Sequence, residues 1–68
     1  MPKAARVLAA LKRDGWLEVR RKGSHRTMRK VRVTQLWAHH DGEDLGNSQL
    51  RNIAGKFGYT LEELRKLL

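Results

Sequence analysis

Apolar and polar positions follow two different periods along this chain. In residues 3–15, Ala4, Val7, Leu8 and Leu11 recur at spacings of three and four, which predicts an amphipathic helix. Lys3, Arg6 and Lys12 or Arg13 take its other side. Cations in the last turn suit the carbonyl end of the helix dipole, and Gly15 stands where a C-terminal cap belongs. In residues 16–22 the period falls to two, as in a strand. Leu17 and Val19 share one face, with Trp16, Glu18 and Arg20 on the other. Gly23 and Ser24 then predict a tight reversal, because Gly accepts positive φ at little cost. Residues 25–29 (HRTMR) and 31–38 (VRVTQLWA) carry β-branched and aromatic residues in rough alternation. A break between them falls near Lys30 without Gly or Pro to mark it, so one long bent strand is an alternative.

Residues 39–47 (HHDGEDLGN) read as a loop. Ser48 or Asn47 caps a second helix over residues 48–58, with Leu50, Ile53, Ala54 and Phe57 as its apolar stripe and Gly58 as its stop. Residues 59–68 form a last helix. Thr60 and Glu63 make a capping box, Tyr59 and Leu64 sit at the positions of a hydrophobic staple, and Leu61, Leu64, Leu67 and Leu68 face inward. The order is helix, three strands, helix, short helix. It predicts an α+β fold with the helices on one face of a three-stranded antiparallel sheet.

The 68 residues make one small domain, 1–68, and a chain of this length buries only about 60% of its unfolded surface. It has no cysteine, hence no disulfide and no thiolate metal site to reinforce the core. A partner chain could supply further burial. The start of the chain runs into a helical pattern rather than a signal peptide, and no apolar run approaches a membrane span, so a cytoplasmic protein is expected.

Charge narrows the field of partners. Fifteen Lys and Arg oppose seven Asp and Glu, a net charge of +8. Residues 19–40 contain no acid at all, yet hold Arg20, Arg21, Lys22, Arg26, Arg29, Lys30 and Arg32. A polyanion is the expected partner, nucleic acid before a membrane surface. Three acids, Asp41, Glu43 and Asp44, gather in the following loop and read as surface turn residues rather than a paired-carboxylate site. His39 and His40 are adjacent, so on a strand they point to opposite faces, which does not favour a zinc site. No dinucleotide or Walker fingerprint is present.

His25 is the residue with the most chemistry around it. A lone hairpin histidine is ordinarily just an exposed side chain. Here Gly23 and Ser24 offer backbone N–H groups and a hydroxyl beside it, suited to a phosphate. The flanking cations would attract a nucleic-acid backbone. RNA carries its own nucleophile, the 2′-OH. A neutral imidazole that takes that proton can cleave RNA without a metal or other cofactor, with Lys or Arg offsetting the charge that builds on phosphorus.

The stretch RDGWLEVRRKGSHRTMR resembles the HicA family of toxin mRNA interferases, with its pattern G-[WF]-x-x-x-R-x-x-G-S-H. Gly15, Trp16, Arg20, Gly23, Ser24 and His25 match it in place. Farther on, His40, Gly42, Leu45, Leu50, Ile53, Ala54 and Gly58 match the family's loop and second helix. The likeness covers nearly the whole chain. It implies a double-stranded-RNA-binding-domain-like fold, cleavage of mRNA with His25 catalytic, and neutralisation by a HicB-type antitoxin. In that reading Gly23, Ser24, Lys22, Arg20 and Arg26 bind substrate. The chain departs from the family between the second and third strands, where members often carry Pro and Gly, and at Trp37-Ala38, where a Val-Pro pair is common.

Two other classes compete. Residues 48–68 resemble part of a helix-turn-helix, which would make the chain a non-catalytic nucleic-acid-binding module. A recognition helix should begin basic, however, and this one begins with Glu62 and Glu63. A cationic membrane binder is disfavoured because the first helix has a mostly alanine apolar face without aromatics. Trp37 reads equally as core or as an anchor for the antitoxin.

Overall fold

The computed structural model describes residues 1–68. Helix α1 (Ala4–Arg13) buries Ala4, Val7, Leu8, Ala10 and Leu11, the predicted stripe plus one alanine. It ends in a Schellman motif. Gly15 takes φ +103°, the Trp16 N–H donates to Leu11 O (3.0 Å), and the Gly15 N–H donates to Lys12 O (3.1 Å). Its start is capped from a distance. Lys3 gives no side-chain cap, and the N–H groups of Ala4 and Ala5 donate instead to Glu43 O (2.8 Å) and Asp41 O (3.1 Å). The acidic loop therefore supplies acceptors that a helix start otherwise lacks. Lys3 and Asp44 clip the same junction with an ion pair at 2.8 Å.

Strands β1 (Leu17–Lys22), β2 (His25–Lys30) and β3 (Val33–Trp37) form an antiparallel sheet in sequential order. Gly23-Ser24 joins the first pair, with φ +62° at Gly23. The second reversal is Val31-Arg32, so the predicted break is real and β2 stops at Lys30. Val31 takes φ 55°, the left-handed region, which a β-branched residue rarely enters.

Register corrects the sequence reading of β1. Glu18 pairs with Met28 and Arg20 with Thr27, so Val19 is an extra residue in a β-bulge. The bulge interrupts the alternation. Glu18 stays on the face of Met28, whereas Arg20 moves to the face of Leu17 and Thr27.

Helix α2 (Asn47–Phe57) starts from Gly46, not from Ser48 or Asn47, and the Gln49 side chain accepts from the Gly46 N–H (2.8 Å). It ends as α1 does. Gly58 is left-handed, and the Tyr59 N–H donates to Ala54 O (2.8 Å). Helix α3 (Leu61–Leu67) has the predicted capping box: the Glu63 N–H donates to Thr60 Oγ1 (3.0 Å) and the Thr60 N–H to Glu63 Oε1 (2.8 Å).

The core joins the apolar faces of α1 and α2 to Leu64, Leu45 and Trp16, with Met28 and Trp37 from the sheet. Trp37 is fully buried and meets Phe57 edge-on, so it is a core residue and not an exposed anchor. Trp16 stacks edge-on to Phe57 at 4.7 Å. The helices thus cover one face of the sheet, and the other face is open. The architecture is α+β and double-stranded-RNA-binding-domain-like. No helix is long and apolar enough to cross a membrane.

Candidate nucleic-acid interface

His25 opens β2 directly opposite Lys22, next to the Gly23-Ser24 turn. Residues facing each other across antiparallel strands share a sheet face. The open face therefore carries three rows: Lys22 with His25, Arg20 with Thr27 and Leu36, and Leu17 with Arg29 and Thr34. His25, Lys22 and Arg20 are exposed, and neither Lys22 nor Arg20 is held in an ion pair. The bulge at Val19 is what places Arg20 beside them. Arg21 Nε–H donates to Gly23 O at 2.9 Å and latches the turn. A Cβ on Gly23 would meet nothing within 4 Å, so the demand for glycine there is conformational, not steric.

Arg26 goes the other way. It is 9% exposed on the helix-facing side and donates to Glu18 Oε1 (2.9 Å) and to Asp41 Oδ1 (3.4 Å). That hydrogen bond, reinforced by the nearby charges of Arg26, Lys12 and Arg21, holds the Glu18 carboxyl below the usual carboxylate range. Arg26 thus does not share a face with His25, although the sequence grouped them.

At the turn, Ser24 lines a cleft of about 220 Å³ together with Arg21, Arg26, His39, His40 and Asp41. His39 is fixed in place. Its Nδ1 lies 2.8 Å from Glu43 Oε2, and its ring packs edge-on to Trp37 at 5.1 Å. The loop acids are consequently not idle turn residues: Asp44 binds Lys3, Glu43 binds His39, and Asp41 reaches Arg26. Sequence reasoning missed His39 as an ordered wall of this cleft. The one available signal was Glu43 four residues on, and it has meaning only once the loop's path is known. No three His, Asp or Glu side chains gather as a metal-binding cluster.

The arrangement offers an accessible imidazole, free cations on an open sheet face, and a polar cleft at the same turn. Comparison with family models matches residues 4–65 to the HicA toxin of bacterial toxin–antitoxin systems. The chain belongs to the HicA toxin family. The match runs from the first residue of α1 into α3 and takes in the turn, the sheet and the acidic loop. Comparison with curated proteins and with solved structures returns no match. Membership makes this HicA chain the toxin of a toxin–antitoxin pair. Helix α3 is seven residues long, carries Glu62 and Glu63 in its first turn and turns Leu64 into the core, features that do not suit a recognition helix.

Proposed function

We propose that this HicA toxin is a metal-independent endoribonuclease that cleaves mRNA, with His25 as its catalytic residue. The observation that carries the reading is the placement of His25. It sits exposed at the turn, on the same open face as Lys22 and Arg20, in a family of toxins. His25 takes the 2′-OH proton as general base. The resulting oxygen attacks the adjacent phosphorus, the bond to the 5′-oxygen breaks, and that oxygen leaves with a proton returned by His25 or water. The products are a 2′,3′-cyclic phosphate and a free 5′-OH. Lys22 and Arg20 draw the backbone in and offset charge on the phosphorane. Gly23 and Ser24 shape the turn that receives the phosphate, and Arg26 braces it from beneath through Glu18 and Asp41.

The antitoxin, in this reading of HicB type, lies over the same face. Leu17 and Leu36 are 67% and 50% exposed, an unusual apolar outlay for the uncovered side of a small sheet. A partner that buries these positions and pairs its acids with Arg20 and Lys22 hides His25 at the same time. The test is RNA cleavage in EDTA by wild type and His25→Ala. The variant should bind RNA as before and lose about 10²–10⁴-fold in rate, with growth arrest abolished. Full toxicity of His25→Ala, or cleavage of DNA at the RNA rate, rules the mechanism out.

A further inference from the structure

We propose that a polar groove centred on His39 carries the RNA strand flanking the cut, so that the substrate is an extended single strand rather than one nucleotide step. Two clefts meet at this residue. The first, of about 220 Å³, begins at Ser24, the neighbour of His25, and has no apolar lining residue. The second, of about 340 Å³, is formed by His39, Gln49, Asn52, Ile53 and Lys56. His39 lines both, the first reaching the hairpin turn and the second the exposed side of α2.

The chemistry of the lining points to a sugar–phosphate backbone. Arg26 is nine-tenths buried in the floor of the first cleft; its Nε has no hydrogen-bond partner but is itself shut off from solvent, so Arg26 contributes positive potential rather than a direct contact. The Arg21 Nε–H is used by the turn, which leaves the terminal nitrogens of that guanidinium for a ligand. Neither His40 nor Lys56 is in an ion pair. The one acid of the lining, Asp41, is met by Arg26. In the second cleft Gln49 and Asn52 supply amides. The groove presents no Phe, Tyr or Trp face for base stacking, because Trp37 lies in the core behind His39; the only rings in its lining are the imidazoles of His39 and His40. Contacts of this kind position a strand without reading its sequence. The Glu43 bond to Nδ1 and the packing on Trp37 hold His39 in one orientation, so the junction of the two clefts is pre-formed.

The strand is a substrate only if the toxin is a ribonuclease, so binding is measured without cleavage to keep the two apart. Wild type, His40→Gln and Lys56→Gln are titrated into labelled 2′-O-methyl RNA, a trinucleotide and a nonanucleotide, by fluorescence anisotropy. This RNA has no free 2′-OH and is not cut by the proposed route. Both substituted residues are exposed, and thermal unfolding confirms that the variants fold. Wild type should bind the longer strand more tightly. Each variant should weaken that binding by roughly 3- to 10-fold, and Lys56→Gln, which removes a full positive charge, should also flatten its salt dependence by about 0.7 in log–log slope, while the trinucleotide is unaffected. Equal wild-type affinity for both lengths overturns the groove. So does a loss confined to antitoxin binding, which would make this a protein-docking surface. Length-dependent binding without cleavage of ordinary RNA would leave the groove standing and remove the ribonuclease reading.

Discussion

His25 and Arg26 are neighbours in sequence and face opposite sides of the sheet. The first is exposed beside Lys22, and the second is buried against Glu18 at 2.9 Å. The two sides should therefore respond differently to loss of a cation. Arg26→Ala leaves Glu18 without its main partner beneath the sheet. The loss should show as a lower urea midpoint, mostly from the charged hydrogen bond to Glu18. Arg20→Ala should leave stability within about 0.5 kcal/mol while RNA binding weakens. Urea denaturation and RNA titration on both variants check the division. Equal destabilisation by the two would refute it.

Asp14 ties three elements together and makes the fold sensitive to acid. The Tyr59 hydroxyl donates to its carboxylate, Lys30 Nζ lies 2.9 Å from it, and Trp16 Nε1–H donates to the Tyr59 oxygen (3.1 Å). The Tyr59 bond first, then Lys30, holds the Asp14 carboxyl below its ordinary value, while burial and the same bond push Tyr59 up. A carboxylate whose folded value is depressed stabilises the fold above its unfolded value and loses that contribution as pH falls through the folded one. Stability should thus decline below about pH 4. Tyr59→Phe should bring Asp14 back toward the ordinary range and move acid unfolding to higher pH. Carboxyl titration by NMR with denaturation at several pH values decides this. An unchanged Asp14 in the variant contradicts it.

Val31 is a strained turn residue whose side chain is not held by burial, although the Arg29 Nε–H donates to its carbonyl at 3.1 Å. It has φ 55° and is 84% exposed. A left-handed conformation costs an L-residue about 1–2 kcal/mol, and asparagine tolerates it best after glycine. Val31→Asn should raise the stability of the β2–β3 hairpin by about 1 kcal/mol, read as a higher melting temperature. A lower one would mean that the valine side chain is used by the fold.

Parts of this molecule were legible before any coordinates and parts were not. The stripes of α1 and α2, the Gly15 and Gly58 stops and the Thr60–Glu63 box are written in side chains at fixed spacings, and each appears where those spacings place it. The bulge at Val19 has no such mark, since an extra valine in a strand looks like any other. Its effect on Arg20 was hidden with it. The Val31-Arg32 turn lacks the usual glycine, which is why the boundary near Lys30 was blurred. The cap on α1 is made by backbone carbonyls of the acidic loop, and backbone acceptors leave no trace in residue types. His25 could be picked out because its Gly-Ser neighbours and cations are contiguous. His39 could not, because its partners Glu43 and Trp37 meet it only through the path of the chain.

The open face gives the most direct test of how the toxin is silenced. Leu17 and Leu36 lie on the His25 face, on the two edge strands that flank β2, and both are at least half exposed. Neither contacts the core, so truncation to alanine should cost the free toxin little. A partner laid over the face would bury both. Fully burying a leucine is worth about 1.5–3 kcal/mol, and each 1.4 kcal/mol is roughly tenfold in affinity. The Leu17→Ala/Leu36→Ala double variant should therefore bind the antitoxin at least about tenfold more weakly and cleave RNA at the wild-type rate. In cells it should escape neutralisation when toxin and antitoxin are expressed at matched levels. Wild-type antitoxin affinity in the double variant would show that inhibition does not use the sheet face, and His25 would have to be silenced from elsewhere.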